Sequence, residues 1–182
     1  MEEQTSPGNF ENSVLPHMDA AYNLARWLTR NDQDAADLVQ EAYLRAFRFF
    51  GGFRGGNTRA WLLKIVRNTC YTQLQKNQSQ ELAMFDEEIH GEDDGSMNPE
   101  TLLLRSADSQ LLRQALEELP VNFREVLVLR ELEGLSYREI AEVSNIRLGT
   151  VMSSLSRARE RLRQSLASLL SEDGAGKMAL AS

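Results

Sequence analysis

The sequence predicts an all-α protein made of two small helical domains joined by a flexible acidic linker. Apolar residues recur at the three-to-four spacing of amphipathic helices, and no stretch alternates convincingly like a strand. Acidic residues are concentrated in one segment, Asn77–Glu100, which has 8 acidic residues and no basic one. This segment separates predicted domains at residues 9–76 and 101–170, and a disordered tail is expected at residues 171–182.

The composition allows a core but no disulfide. The chain has 182 residues, of which 42% are hydrophobic, and a net charge of −7, which argues against a nonspecific nucleic-acid coat protein. A single cysteine, Cys70, excludes an internal disulfide and a cysteine-based zinc cluster. The two histidines, His17 and His90, are far apart in the chain. We therefore expect no metal or other cofactor.

Nothing in the sequence predicts a membrane protein. The first residues, MEEQTSPGNFEN, are acidic and polar, unlike a signal peptide. No apolar run approaches the roughly 18 residues of a membrane span. We expect a cytoplasmic protein that is not embedded in a membrane.

Three helices are predicted in the first domain. Val14–Arg30 forms one helix, broken near Asn31 and Asp32, and Asp34–Phe50 forms a second that ends at a pair of glycines. Phe53–Gly56 is a glycine-rich loop, and Thr58 to about Lys76 forms the third helix.

The acidic segment is long enough to let the two domains act at separate sites. Its 24 residues would span at most roughly 80 Å when fully extended. As a flexible coil they would average roughly 25–30 Å.

The second domain is predicted to contain four helices. Leu102–Leu119 is ended by Pro120, and Asn122–Glu133 is ended by Gly134. Two further helices follow in the stretch LSYREIAEVSNIRLGTVMSSLSRARERL, which begins at Leu135.

This last stretch has the plan of a helix-turn-helix. Ser136 and Glu139 form a capping box, a polar turn follows at Ser144 and Asn145, and apolar residues pack the second helix onto the first. From Arg147 to Arg163 there are five arginines and one acid, a local charge of +4 that suits a phosphate backbone. The second helix is therefore predicted to lie in a DNA major groove. The alternative is an ordinary helical hairpin with solvated arginines.

A basic and aromatic stretch lies in the first domain. Five basic residues and no acids lie between Arg54 and Lys76, interleaved with Phe53, Trp61 and Tyr71. Positive charge and aromatic faces together favour single-stranded nucleic acid. The alternative is an ordinary core stripe, formed by Trp61, Leu62, Ile65 and Val66.

The second helix of the first domain offers a possible partner-binding face. Polar residues there lie beside apolar Leu38, Val39 and Leu44. The alternative is a solvated helix face.

Taken together, the two domains resemble a known family. DAADLVQEAYLRAFRFF, followed by FRGGNTRAWLLKIVRNTC, is similar to region 2 of the extracytoplasmic-function (ECF) sigma factors. LEELPVNFREVLVLRELEGLSYREIAEVSNIRLGTVMSSLSRARERL is similar to region 4 of that family. The resemblance covers about Asn9 to Leu170, and it implies a promoter-specificity subunit of bacterial RNA polymerase rather than an enzyme.

The resemblance assigns roles to three groups of residues. It implies that core RNA polymerase is bound by Asp34, Asp37, Leu38, Gln40, Glu41 and Leu44. It implies that the −10 promoter element is read and melted by Arg59, Trp61, Lys64, Arg67, Asn68 and Tyr71, with Asn68 near a flipped base. The −35 element would be contacted by Arg147, Gly149, Thr150, Ser153, Ser154, Ser156, Arg157 and Arg159.

The predicted −35-reading helix departs from the family at three positions. Family members often carry arginine or a larger residue where this chain has Met152, Ser154 and Ser156. With fewer candidates for bidentate arginine–guanine contacts, we expect weaker base readout or more dependence on DNA shape.

The family also implies an anti-sigma factor as a partner, in addition to core RNA polymerase and promoter DNA. One alternative is a stand-alone helix-turn-helix regulator, which would bind a palindromic duplex by itself. That alternative leaves the basic and aromatic first domain unexplained. An enzyme is disfavoured because we find no nucleophile–base pair, metal-ligand spacing or phosphate-binding loop.

Overall fold

A computed structural model of the protein describes residues 7–84 and 107–179, and the regular structure in these two ranges is helical. The first domain contains four α-helices: α1 (Pro7–Val14), α2 (Met18–Thr29), α3 (Asp32–Phe49) and α4 (Thr58–Met84). Short 3-10 turns follow α1 at Leu15–His17 and α3 at Phe50–Gly52. The second domain contains α5 (Ala107–Glu118), α6 (Val121–Leu127), a π-helical turn (Val128–Leu132), α7 (Tyr137–Ser144) and α8 (Leu148–Ala179).

The first predicted helix, Val14–Arg30, is wrong as a single element. A 3-10 turn at Leu15–His17 separates α1 from α2. Pro16 lies in this turn, and because it lacks a backbone N–H it cannot continue a regular α-helical ladder. At the other end, Arg30 adopts the left-handed conformation with φ 58° and its N–H donates to the carbonyl of Arg26, which ends α2.

Side-chain caps start the two long helices of the first domain. The Asn31 side-chain oxygen accepts from the Asp34 N–H at 3.0 Å and caps α3. The Asn57 side-chain oxygen accepts from the Ala60 N–H, also at 3.0 Å, at the start of α4. The predicted loop before α4 is present, and Gly55 and Gly56 there have φ of 85° and 107°, values that favour glycine.

Three packed helices build the first domain. Helices α2, α3 and α4 contact one another and bury Leu24, Ala42, Leu63 and Val66 completely. Phe10 of α1 joins this core and makes edge-on ring contacts at 5.1–5.2 Å with Tyr43, Phe47 and Phe50. Such contacts stabilise aromatic clusters beyond simple area burial.

The predicted helix-turn-helix is present. Gly134, with φ 66°, ends the π-helical turn, and the Leu135 N–H bonds back to the Leu129 carbonyl at 2.9 Å. Ser136 and Glu139 form the predicted capping box at the start of α7. Asn145, with φ 54°, makes the sharp turn that leads into α8. The left-handed conformation suits glycine and asparagine best, so these residue types mark both turns.

The first residues of two segments that the sequence predicts to be flexible are helical in the structure. Residues 77–84, expected in the linker, continue α4, and residues 171–179, expected in a disordered tail, continue α8. Neither stretch contains a proline, and adding residues to an existing helix is cheaper than nucleating a new one. The rest of the predicted linker, and residues 101–106 and 180–182, lie outside the described residues.

The two domains pack against each other. Helix α4 of the first domain contacts α7 of the second, and α2 contacts α6. The buried apolar residues of both domains form one continuous cluster. The surfaces of the two domains that face each other are therefore removed from solvent.

Candidate nucleic-acid interface

The amino-terminal half of α8 presents a polar face to solvent. Val151, Leu155 and Ala158 are buried against the second domain, which fixes the rotation of the helix. Ser154 is half-buried. The other predicted −35 residues are exposed: Arg147, Gly149, Thr150, Ser153, Ser156, Arg157 and Arg159. This face has the form of a recognition helix that can enter a major groove.

The arginines of α8 and its preceding turn differ in their surroundings. Arg159 contacts Glu131 at 2.7 Å. Its hydrogen bond to Glu131, and to a lesser extent one to Tyr137, raise the pKa of Arg159 above the usual arginine value. Arg163 pairs with Glu160 at 3.0 Å. Within residues 7–84 and 107–179, no carboxylate pairs with Arg147 or Arg157. Arg161 also has no carboxylate partner among these residues, but its guanidinium lies 5.2 Å from the centre of the Phe123 ring. Arg147 and Arg157 are therefore the best placed to meet phosphate or base edges.

Aromatic packing in the first domain supports the core alternative for Trp61. Its ring lies 4.8 Å from that of Phe53 and 6.2 Å from that of Phe50. Trp61 is half-buried in this cluster, whereas Lys64 and Asn68 on α4 are exposed. Lys64 and Asn68 are therefore the most accessible residues of the predicted −10 set.

The three remaining predicted −10 residues contact acids of the second domain. Arg59 forms an ion pair with Glu133 at 2.8 Å, and Arg67 forms one with Glu125 at 2.9 Å. The Tyr71 hydroxyl donates to Glu125, and the Arg67 guanidinium lies 3.9 Å from the centre of the Tyr71 ring. The side chains expected to meet DNA therefore already have anionic partners within the chain.

Glu125 lies at the centre of this contact. It is 2% exposed and also accepts a hydrogen bond from the Ser144 hydroxyl at 2.8 Å. Burial and the nearby carboxylate raise the pKa of Tyr71 above its usual range, so the phenol keeps its proton and donates. A buried carboxylate needs partners of this kind because desolvation of an unpaired charge is costly.

Further polar contacts follow the same seam between the domains. Asn57 donates to Glu139, and Asn23 donates to Glu133 at 3.4 Å. At the other end of the seam, the Arg30 guanidinium donates to the Glu117 carbonyl at 3.3 Å. These contacts extend the pairing beyond the two ion pairs.

A buried arginine supports the end of α5. Arg124 is 4% exposed and donates to the Glu117 carbonyl at 3.0 Å. Burial, with the nearby Arg30 charge, lowers the pKa of Arg124 to about 10. The group stays protonated at neutral pH, where it satisfies a helix-terminal carbonyl.

The sequence analysis did not identify Glu125, Glu133, Glu139 and Asn57 as functional candidates. A signal was available for two of them, since Glu125 and Glu133 lie on either side of the stretch VLVLREL, in which five of seven residues are apolar. An acid that is buried beside such a stretch almost always has a partner. Which cation would pair with it depends on the packing of the other domain.

The predicted polymerase-binding face is exposed except at one residue. Asp34, Asp37, Gln40 and Glu41 are exposed, and Leu44 is 53% exposed. Leu38 is 5% exposed and belongs to the core. Its prediction as a surface contact is wrong for this structure, because Leu38 shares the inward face of α3 with Ala35, Val39, Ala42 and Ala46.

Other chemistry has little support in the part of the chain that is described. No group of three or more His, Cys, Asp or Glu residues there is arranged to hold a metal ion. Cys70 is buried, and burial raises the pKa of its thiol to about 12, so it stays protonated. No helix within residues 7–84 and 107–179 is both long and apolar enough to cross a membrane.

Family models match both domains. Residues 14–80 match sigma-70 region 2, and residues 109–162 match sigma-70 region 4. The two matches together cover more than half of the chain, in the order expected from the sequence.

Several relatives are similar over most of the chain. The ECF RNA polymerase sigma factor SigE of Mycolicibacterium smegmatis is 34% identical over 93% of this chain, which spans 66% of that protein. The RNA polymerase sigma-H factor of Pseudomonas aeruginosa is 35% identical, with 90% of this chain and 89% of the relative covered. The ECF RNA polymerase sigma-E factor of Escherichia coli is 36% identical over 71% of this chain and 72% of its own length.

Solved structures share the fold. The sigma factor RpoE of Bartonella quintana, solved with the anti-sigma factor NepR, has a TM-score of 0.71 and 30% identity, and the match covers 87% of this chain and 97% of that chain. CnrH, solved with the cytosolic domain of CnrY, has a TM-score of 0.62 at 24% identity, with 92% and 91% covered. The second likeness supports the fold alone.

Proposed function

The chain belongs to the extracytoplasmic-function RNA polymerase sigma factors, and we propose that its two domains divide promoter recognition between them. As a member of this family it is a DNA-binding initiation factor rather than an enzyme, and it directs transcription by binding core RNA polymerase and promoter DNA. The second domain contacts the −35 element, and the first domain reads and melts the −10 element. A stand-alone regulator is not favoured, because both sigma-70 regions are present.

The exposed polar face of α8 is the observation that carries this division. Among the residues that the structure describes, no carboxylate forms an ion pair with Arg147 or Arg157. Ser153 and Ser156 are exposed near them. Arginine can bind guanine or phosphate, and serine hydroxyls donate or accept at either. This supports the assignment of α8 to the −35 major groove.

The first domain has the chemistry for unpaired DNA on α4. Lys64 and Asn68 are exposed on that helix, and Arg59, Arg67 and Tyr71 lie on its side that faces the second domain. Cations neutralise phosphate, and amide and aromatic groups hold an extruded base. This combination supports a role in −10 recognition and melting once the acids of the second domain leave.

The outer face of α3 is proposed to dock on core polymerase. Exposed Leu44, together with Phe47 at 48% exposure, gives an apolar centre. Asp37, Gln40 and Glu41 provide exposed polar groups beside it, toward the amino-terminal end of the helix. A small apolar centre within a polar rim is the usual anatomy of a protein–protein interface.

We extend the proposal to regulation and location. The Bartonella quintana structure contains an anti-sigma factor bound to a sigma factor of the same fold. An anti-sigma factor that covers the polymerase-binding and DNA-binding faces would hold this chain inactive in the cytoplasm, where its polymerase and promoter are found.

Run-off transcription tests the proposal. Purified bacterial core polymerase is supplied with genomic promoter fragments, with and without the chain, and the transcripts are mapped. We expect initiation that depends on the chain, and the shared upstream sequence would identify its promoter. Tight binding of a palindromic duplex by the chain alone, with no polymerase-dependent transcript, would overturn the proposal in favour of a stand-alone regulator.

A further inference from the structure

We propose that Leu148 and Met152, at the amino-terminal end of α8, read the 5-methyl groups of thymines in the −35 element. The inference rests on the proposed placement of α8 in the −35 major groove. It adds the class of base that this end of the helix recognises, and the kind of contact that does so.

Two large apolar side chains are exposed on the otherwise polar face of α8. Leu148 is 38% exposed and Met152 is 50% exposed. They are four residues apart, so they lie on the same side of the helix, about 6 Å apart along its axis. Val151 and Leu155, in the same two turns of the helix, belong to the buried apolar cluster. Core packing therefore explains the second pair of residues and leaves the exposure of the first pair unexplained.

The exposed pair lies in the part of a recognition helix that reaches base edges. In helix-turn-helix proteins the first residues of the second helix contact the bases, and Leu148 is the first residue of α8. Gly149 follows it with a φ outside the left-handed region, and an added Cβ would meet no atom of the described chain within 4 Å. Because glycine weakens a helix, a glycine that internal packing does not require fits a close approach of this end to a molecule outside the chain.

The charges around the exposed pair indicate that this molecule is DNA. Arg147 precedes Leu148 directly, and Arg157 lies five residues beyond Met152. Both arginines are exposed, and no carboxylate in the described part of the chain forms an ion pair with either. Unpaired cations on both sides of a short apolar strip suit a ligand whose phosphates flank its recognition groups, as they do in the major groove of a duplex.

Thymine is the base that offers an apolar group in this groove. Its 5-methyl group projects there, whereas guanine presents two acceptors and cytosine an amino donor. A leucine or methionine side chain placed over a polar base edge would remove that edge from water without replacing its hydrogen bonds, which costs free energy. Contact with a thymine methyl group buries apolar surface on both partners and is favourable.

The polar residues beside the strip contribute a different kind of contact. The Ser153 hydroxyl donates to the Thr150 carbonyl at 3.2 Å, which leaves its oxygen as an acceptor. Arg157 is exposed and can donate to guanine or to phosphate. Apolar readout at the start of α8 and donation farther along the helix would then divide the −35 element between them.

Removing thymine methyl groups one at a time tests the inference. In the promoter found by run-off transcription, each thymine of the −35 element, on either strand, is replaced singly by uracil, which lacks only the methyl group. Initiation is measured with core polymerase carrying the wild-type chain, Leu148→Ala or Met152→Ala. We expect uracil at one or two positions to lower wild-type initiation about fourfold each, the effect of one buried carbon group. Each variant is expected to be insensitive to uracil at one of these positions.

Leu170→Ala is the matched control. Leu170 is also an exposed apolar residue of α8, at 56% exposure, but it lies far from the amino-terminal end of the helix. Polymerase carrying this variant is expected to show the same uracil sensitivity as the wild type. Circular dichroism of each variant separates loss of folding from loss of base readout.

A selection from promoters with a randomised −35 element provides an independent test. The wild-type chain is expected to recover a T·A pair at the positions where uracil lowers initiation. Met152→Arg is expected to shift one of these positions to G·C, because arginine donates to the two acceptors of guanine. Recovery of the same base by both chains would contradict a role for Met152 in specificity.

The outcomes distinguish this inference from the proposed function. A −35 element without a T·A pair, uracil without effect at every thymine, or uracil effects that persist in both alanine variants would overturn thymine readout while the wild-type chain still supports transcription. If Arg157→Ala, Leu148→Ala and Met152→Ala all leave initiation unchanged, then the proposed role of α8 fails and the inference fails with it.

Discussion

At the residue scale, the structure depends on a few charged side chains in buried positions, where removal of a charge from water costs free energy. Glu125 is almost completely buried, yet it receives an ion pair from Arg67 and hydrogen bonds from Tyr71 and Ser144. These donors satisfy the carboxylate, so its burial is tolerated. By contrast, Arg157 projects from α8 into solvent and remains available for a phosphate or base.

Replacement of Arg157 by alanine tests the DNA-reading face. We expect promoter-specific initiation to fall by about 5–150-fold, corresponding to about 1–3 kcal/mol for a lost arginine contact, while affinity for core polymerase is unchanged. The measurements are run-off transcription and a core-binding assay. Arg163→Ala, six residues farther along the same helix, removes the same charge and serves as the control. A parallel loss of core binding would contradict the assignment.

Substitutions at Leu38 and Leu44 of α3 distinguish an effect on folding from an effect on binding. Leu38→Asp places a charge in the core and is expected to unfold the first domain. Leu44→Asp alters a half-exposed side chain and is expected to weaken core polymerase binding at least tenfold, while the helical content stays normal. Circular dichroism and a core-binding assay measure the two effects. Normal core affinity for Leu44→Asp would remove this face from the interface.

At the scale of elements, helix ends set the position of α8, the proposed recognition helix. The capping box at Ser136 starts α7, and the left-handed residue Asn145 then ends that helix and directs the chain into α8. Because α7 is only eight residues long, its stability depends on the cap and on packing more than on its own hydrogen bonds. The direction of α8 therefore depends on a small number of turn residues.

Removing the Ser136 hydroxyl tests the cap. Ser136→Ala is expected to lower the free energy of unfolding by about 1 kcal/mol, within a range of about 0.5–2 kcal/mol, because one amide at the start of α7 loses its acceptor. Urea unfolding monitored by circular dichroism gives the value. Ser168→Ala, an exposed serine on α8, is the control and is expected to be neutral or slightly stabilising because alanine favours helix. Equal effects of the two changes would argue against the cap.

At the scale of the whole molecule, the packing of the two domains leaves the two proposed DNA-reading surfaces unequally exposed. The face of α8 is open to solvent, while part of α4 is covered by the second domain. Intramolecular contacts of this kind reduce apparent affinity by the fraction of molecules in the competent state.

This arrangement predicts different DNA binding before and after assembly with polymerase. The free chain is expected to bind duplex −35 DNA weakly but measurably, and to bind the single −10 strand at least tenfold more weakly than the polymerase complex does. Anisotropy titrations with each DNA, at one fixed salt concentration, measure both values. A free chain that binds the −10 strand as tightly as the complex does would contradict the prediction.

The sequence alone determined most of the local structure and the family. The helical periodicity, the capping box at Ser136 and the turn at Asn145 are short-range patterns, and each was confirmed. The exceptions are also local: Pro16 divided a helix that periodicity joined, and helices α4 and α8 continued past their predicted ends. Polar composition indicates flexibility only where no helix is already in place to extend.

Only the tertiary structure decided which side chains are available. The sequence placed Leu38 on a partner face and Arg59 and Arg67 on a DNA face, but packing buried the first and paired the other two. Arg67 and Glu125 are 58 residues apart in the chain, and Arg59 and Glu133 are 74 apart. No local pattern encodes such pairs, because they depend on how two separately folded surfaces meet, and that is a property of the assembled molecule.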